Sequence, residues 1–135
     1  MPELAAAIAI ASLGAMVFFS AAIAPTVFQA LPAEQAGAFL RAVFPRYFLI
    51  NGIAAVVAGL LAMDGLTTSV LIVSGFVMLV IRFAVIPIIN EARDQMLAGV
   101  EAAKTRFDTW HRTTVILNLV EMVCLATAAF LLLAR

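Results

Sequence analysis

Two ionisable side chains, Arg82 and Glu121, stand inside long apolar runs of this 135-residue chain. A charged group at the centre of a membrane helix costs ~2.5–3.5 kcal/mol even on insertion scales, so each needs a partner, a ligand, a proton or the headgroup layer. Counted inward from the ends of those runs, Arg82 is about six residues deep and Glu121 about nine, or ~9 and ~13 Å at 1.5 Å per residue. The matched depths leave three readings open: an ion pair between antiparallel helices, a ligand or proton site, and snorkelling of Arg82 to lipid headgroups. His111, Thr114, Asn118 and Glu121 recur at steps of three, four and three, which puts them on one helix face. Joined by Asn51 and Arg82 from two other helices, with Arg46 and Thr26 nearby, they describe an intramembrane polar cluster open to one side of the bilayer. As helix glue, such side-chain bonds contribute only ~0.6 kcal/mol each on average but fix register. As a site, the cluster would hold a small polar ligand or relay protons.

Other chemistry is harder to assemble. His111 can cap or touch headgroups, contact a ligand, relay a proton, or ligate a metal or haem. Met16, Met122 and Cys124 lack the Met-x-x-Met or Cys-x-x-Cys spacing that holds Cu(I), and read as gap-filling residues. One His and one Cys cannot build a structural zinc site, and the acids are too scattered for a calcium cage, so neither a metal nor another cofactor is expected. No nucleophile with a base, paired carboxylates or phosphate loop is visible, which weighs against an enzyme. Eight Lys plus Arg balance eight Asp plus Glu, leaving no basic stripe for nucleic acid.

The elements that carry these residues follow from composition. The chain is 65% hydrophobic and 12% charged, against roughly 45–50% and about 25% for a soluble domain. No water-facing surface can be made from so few charges, so this is an integral membrane protein. A span needs about 20 apolar residues. Residues 4–28, 47–63, 69–89 and 113–134 qualify, giving an all-α four-helix bundle in one four-span transmembrane domain, 1–135. Ala22-Ile23-Ala24 imitates a signal cleavage site, but Glu3 at the amino end and the length of the run favour a retained helix.

Two connections carry structure of their own. Leu31-Pro32-Ala33-Glu34 reads as a helix start, and Ala36, Phe39, Leu40, Val43 and Phe44 recur at helical spacing, so a short interfacial helix is expected between spans one and two. In 88–112, Ile89, Ala92, Met96, Val100, Ala103, Phe107 and Trp110 alternate steps of three and four. That narrow seam favours a helical hairpin extension between spans three and four, broken at Gly99, over a helix lying flat on lipid. Pro87 should kink the third helix, and residues 64–68 should form the short opposite turn.

Cytoplasmic loops collect Lys and Arg. Arg41 and Arg46 precede span two, and Arg93, Lys104, Arg106 and Arg112 lie between spans three and four, whereas Arg135 alone is on the opposite side. Loops 29–46 and 88–112 are therefore expected in the cytoplasm and both termini outside, in a plasma or bacterial inner membrane. Tyr47, Phe48, Phe107 and Trp110 would form the inner aromatic belt.

Small residues spaced by four, Ala7, Ala11 and Ala15 on the first helix and Ala54, Ala58 and Ala62 with the pair Ala55 and Gly59 on the second, allow close helix approach within the bundle or with a partner. The favoured reading is a non-catalytic subunit or interaction protein of a larger membrane assembly, with a membrane-protein partner or a homo-oligomer. A component that binds or moves a small molecule through a cytoplasm-facing polar site is the alternative. A haem- or copper-pathway membrane protein comes third.

Specific segments also carry a resemblance. Gly14-Ala15-Met16-Val17-Phe18-Phe19-Ser20, Ala24-Pro25-Thr26-Val27-Phe28, Ala36-Gly37, Phe44-Pro45-Arg46-Tyr47 and Phe107-Asp108-Thr109-Trp110-His111-Arg112 with Asn118 resemble the transmembrane protein 205-like group of small membrane proteins. Arg82, Pro87 and Asn90 match its polar positions near the end of the third helix. The resemblance implies a four-span membrane fold and brings no established enzymatic activity. Copper-resistance D and HemJ-type haem-pathway proteins are similar in architecture only, since they rely on intramembrane histidines that this sequence lacks.

Overall fold

Four apolar helices fold back and forth on one another in the computed structural model: α1 (Pro2–Ala30), α2 (Ala33–Ala62), α3 (Gly65–Leu97) and α4 (Glu101–Leu133). It describes residues 1–134, so Arg135 and the charge assigned to it lie outside the described residues. Each helix exceeds the ~20 residues that cross a bilayer, and there is no strand among the described residues. The chain is a polytopic membrane protein. Each helix packs on its neighbours in sequence and α4 closes onto α1. The centre is filled by Met16, Phe48, Leu71, Met78, Ile81 and Leu125, while Phe18, Ile50, Phe76 and Phe130 point outward. Such outward apolar side chains are what lipid requires of a membrane bundle.

Small residues decide how closely α2 and α3 approach. A Cβ on Gly75 would lie 2.7 Å from the Gly52 carbonyl oxygen, and one on Gly59 would lie 2.9 Å from Ile72. The two backbones touch because no side chain intervenes. Ala58 and Gly59 are thus internal packing residues, with Ala54 half-buried beside them. On α1 the inward face is instead Ala5, Ala9, Ser12 and Met16, and Ala7, Ala11 and Ala15 are exposed.

The expected interfacial helix is not separate. Residues 33–46 are helical but continue without a break into the second span, because the buried stripe Ala36, Leu40, Tyr47, Asn51, Ala55, Ala58 and Ala62 keeps one helical register past Pro45. The extension of α3 and α4 is a hairpin, closed at Gly99 with φ +89°. There the Val100 N–H donates to the Gln95 carbonyl and the Gly99 N–H to that of Met96, each at 3.1 Å. These bonds satisfy the orphan carbonyls of the helix end in a Schellman motif.

At the opposite end the turn is tighter than expected, since residues 65–68 are already helical. Met63 adopts the left-handed conformation, and Asp64 caps α3 by accepting the Thr67 N–H at 3.0 Å. The amino terminus of α1 reaches this turn, its ammonium lying 3.4 Å from the Met63 sulfur.

Pro25 and Pro87 do more than kink. Each follows a five-residue π-helical segment, Phe19–Ile23 in α1 and Ile81–Val85 in α3. Proline has no N–H for the carbonyl four residues back and collides with it, and the wider π turn relieves that collision.

Candidate functional site

The hairpin end of the bundle carries an open-sided cavity of about 450 Å³, walled by all four helices. Phe19, Phe44, Phe48 and Phe107 give it aromatic sides. Its polar side chains come mainly from two helical ladders, Asn90 and Arg93 on α3 and His111, Thr114 and Asn118 on α4. The second ladder is the one read from the sequence.

The π segment of α3 precedes Asn90 and Arg93 and sets the rotation at which they enter the cavity. Arg93 crosses to α2 and lays its guanidinium over Gly37, where any side chain would collide with it. Arg41 also lines the cavity, but its two terminal nitrogens hold the Asp94 carboxylate at 2.6 and 2.9 Å. No Asp or Glu is among the lining residues, and Arg93 forms no ion pair among the described residues, although the Asp94 carboxylate held by Arg41 also feels the Arg93 charge.

Hydrogen bonds fix the deep wall. The Tyr47 hydroxyl donates to Asn118 Oδ1 at 2.8 Å, joining α2 to α4. One turn deeper, the Ser12 hydroxyl donates to Asn51 Oδ1 at 2.6 Å and Asn51 Nδ2 donates to the Tyr47 carbonyl at 2.8 Å. Asn51 therefore supports the wall without lining it. Thr114 turns its hydroxyl back onto the Trp110 carbonyl at 2.9 Å. His111, at the rim, stacks on Phe107 with ring centroids 5.6 Å apart and planes 5° from parallel.

The remaining expected members lie elsewhere. Thr26 is exposed, and Arg46 folds back on the Ala42 carbonyl at 2.6 Å. Arg82 and Glu121 form no ion pair. The Arg82 guanidinium sits 5.0 Å from the Phe83 ring centroid with its Nε buried and unpartnered, whereas Glu121 shares a separate groove with Ser74. Ser74 and Arg82 are eight positions apart, or ~12 Å along the helix. Depths counted from the edges of apolar runs missed this, because the register is set by the turn at Gly99.

Ser12, Gly37, Tyr47 and Arg93 were not singled out as site residues from sequence. The pair Asn90 and Arg93, three apart on a helix, was the available signal. Among the described residues no three His, Cys, Asp or Glu side chains gather as a metal ion requires.

A family model described as a domain of unknown function (DUF4149) matches residues 7–98. The match takes in α1 from residue 7 onward, α2 and all of α3, and with them Gly37, Tyr47, Asn90 and Arg93; the α4 ladder lies beyond it. No curated protein and no solved structure matches the chain.

Proposed function

The chain belongs to the family described as a domain of unknown function (DUF4149), and we propose that it is a membrane-embedded binding component for an amphipathic anion, a carboxylate or phosphate head on an apolar tail. The observation that carries this reading is the cavity itself. Arg93 supplies a positive charge at the wall that no ion pair among the described residues takes up, Asn90, His111 and Asn118 add polar contacts, and phenylalanine walls suit the tail. Its volume falls within the roughly 300–1,000 Å³ typical of small-molecule sites. Asn90, His111 and Asn118 are also among the residues that carry the resemblance to the transmembrane protein 205-like group. By the cation bias of the loops the cavity faces the cytoplasm, in a plasma or bacterial inner membrane.

The test uses purified protein in lipid nanodiscs and a fluorescent long-chain fatty acid. A charge-assisted contact contributes ~1.5–3 kcal/mol, so Arg93→Gln should weaken binding about tenfold or more, and the methyl ester of the probe should bind the native protein as weakly. Gly37→Leu should displace the Arg93 head and act in the same direction. Equal affinity in all three comparisons would overturn the proposal.

A second reading, a subunit of a larger membrane assembly or a homo-oligomer, is favoured by one observation. Ala7, Ala11 and Ala15 line the outside of α1, and a Cβ on Gly14 would meet nothing within 4 Å. The surface is smooth enough for another helix to approach closely.

A further inference from the structure

A groove on the flank of the bundle, between α3 and α4, is separate from the anion cavity and shares no lining residue with it. Its volume is about 410 Å³. Val70, Val73 and Val77 from α3 and Leu117 and Val120 from α4 make it apolar, and Ser69, Ser74, Glu121 and Cys124 are its polar side chains. Val73 and Val120 are exposed, so the groove opens sideways, where the surrounding phase is lipid. Glu121 is only 4% exposed and its Oε2 has no hydrogen-bond partner. No arginine or lysine lines the groove, and Glu121 belongs to no ion pair among the described residues.

A carboxyl group at that depth is costly unless something matches it. The elements packed around it offer Ser74 as the polar side chain across the groove and no countercharge. A ligand entering from lipid must therefore be apolar over most of its surface, fit between two rows of valine and leucine, and bring a positive charge with an N–H to the carboxylate.

We propose that this groove is a lateral binding site for a lipophilic ammonium ion, an aromatic or aliphatic amine in its protonated form, held by Glu121 with Ser74 as an auxiliary hydrogen-bond partner. The anion cavity carries the opposite charge preference, so the two sites accept different molecules and this assignment stands independently of the first. A charge-assisted N–H to carboxylate bond is about twice as strong as a neutral one, and in an apolar groove few other interactions compete with it.

The test titrates the full chain in nanodiscs with 1-naphthylmethylamine hydrochloride near neutral pH, following naphthyl fluorescence, with 1-naphthylmethanol as the neutral isostere. Cys124, the single cysteine of the chain, lines the same groove, so the rate of its alkylation by a membrane-permeant maleimide reports occupancy there. The amine should bind at least tenfold more tightly than the alcohol and slow alkylation of Cys124. Glu121→Gln should lose at least tenfold in amine affinity and leave alcohol binding unchanged. Should Glu121→Gln fail to fold, Val120→Trp, at an exposed position on the groove wall, fills the groove with the carboxylate intact and should abolish the protection of Cys124. The proposal is overturned if amine and alcohol bind alike, if Glu121→Gln binds the amine as well as the native protein does, or if bound amine leaves Cys124 alkylation unchanged.

Discussion

Tyr47 joins two parts of one polar thread. Its hydroxyl reaches Asn118 on α4, and its carbonyl receives Asn51, whose own oxygen takes the Ser12 hydroxyl of α1. Three helices are thereby tied at the floor of the cavity. Hydrogen bonds between membrane helices average ~0.6 kcal/mol and reach ~1.7. Tyr47→Phe should accordingly lower stability in detergent by about 0.5–1.5 kcal/mol. Ser12→Ala and Asn51→Ala should each cost a similar amount, and together less than their sum, because they break the same bond. Unfolding by denaturing detergent measures all of these, and strict additivity of the last pair would show that the Ser12–Asn51 bond is not formed. Polar residues such as Asn51, Asn118 and Glu121 were legible from sequence because an amide or carboxyl within an apolar run stands out. Arg93 was not, since it sits in an amphipathic stretch where a cation is ordinary. Nor was Gly37, whose role exists only once α3 lies across α2.

The helices keep their length through devices that periodicity reveals unevenly. Gly99 was visible as the break in 88–112, and the structure places a left-handed glycine there. The second left-handed residue, Met63 with φ 55°, was not, because nothing in a methionine announces such a conformation. That conformation costs a residue with a Cβ roughly 1–2 kcal/mol. Met63→Gly should raise stability by about 1 kcal/mol, offset in part by the greater freedom of glycine in the unfolded chain. A midpoint that falls in thermal unfolding would mean that the contact between the Met63 sulfur and the amino terminus outweighs the backbone strain. The π segment before Pro87 matters more for the proposed binding. Pro87→Ala restores the missing donor and removes the collision, so Ile81–Val85 should relax toward α-helix and turn the rest of α3 by about 100°, one residue of an α-helix. Arg93 would then leave Gly37. Helix content should be unchanged by circular dichroism, while affinity for the fatty-acid probe falls to the level of Arg93→Gln. Native affinity in Pro87→Ala would show that the π turn is held by packing rather than by the proline.

The bundle as a whole has two unlike ends and one smooth flank. The flank separates packing from association: Ala58 is fully buried against the rest of the bundle and Ala11 is exposed. Ala58→Leu should destabilise the isolated protein by overpacking, by about 1–3 kcal/mol. Ala11→Leu should leave that stability unchanged and shift the size of the complex extracted in mild detergent. If Ala11→Leu changes nothing in that complex, lipid alone covers the flank and the subunit reading loses its support. The two ends bear on orientation. Arg41, Arg46, Arg93, Lys104, Arg106 and Arg112 all lie on or beyond the cavity end, and at the other end the described residues offer Glu3 and Asp64 but no Lys or Arg side chain. Positive residues are retained in the cytoplasm during insertion, and the proposed orientation accordingly has the hairpin and the cavity mouth inside and the Met63–Asp64 turn outside. An enzyme reporter active only outside the membrane should therefore work when inserted at the Met63–Asp64 turn and fail when inserted at Gly99. The opposite pattern would place the cavity mouth on the external face and move its ligand from the cytoplasmic pool to the outer one.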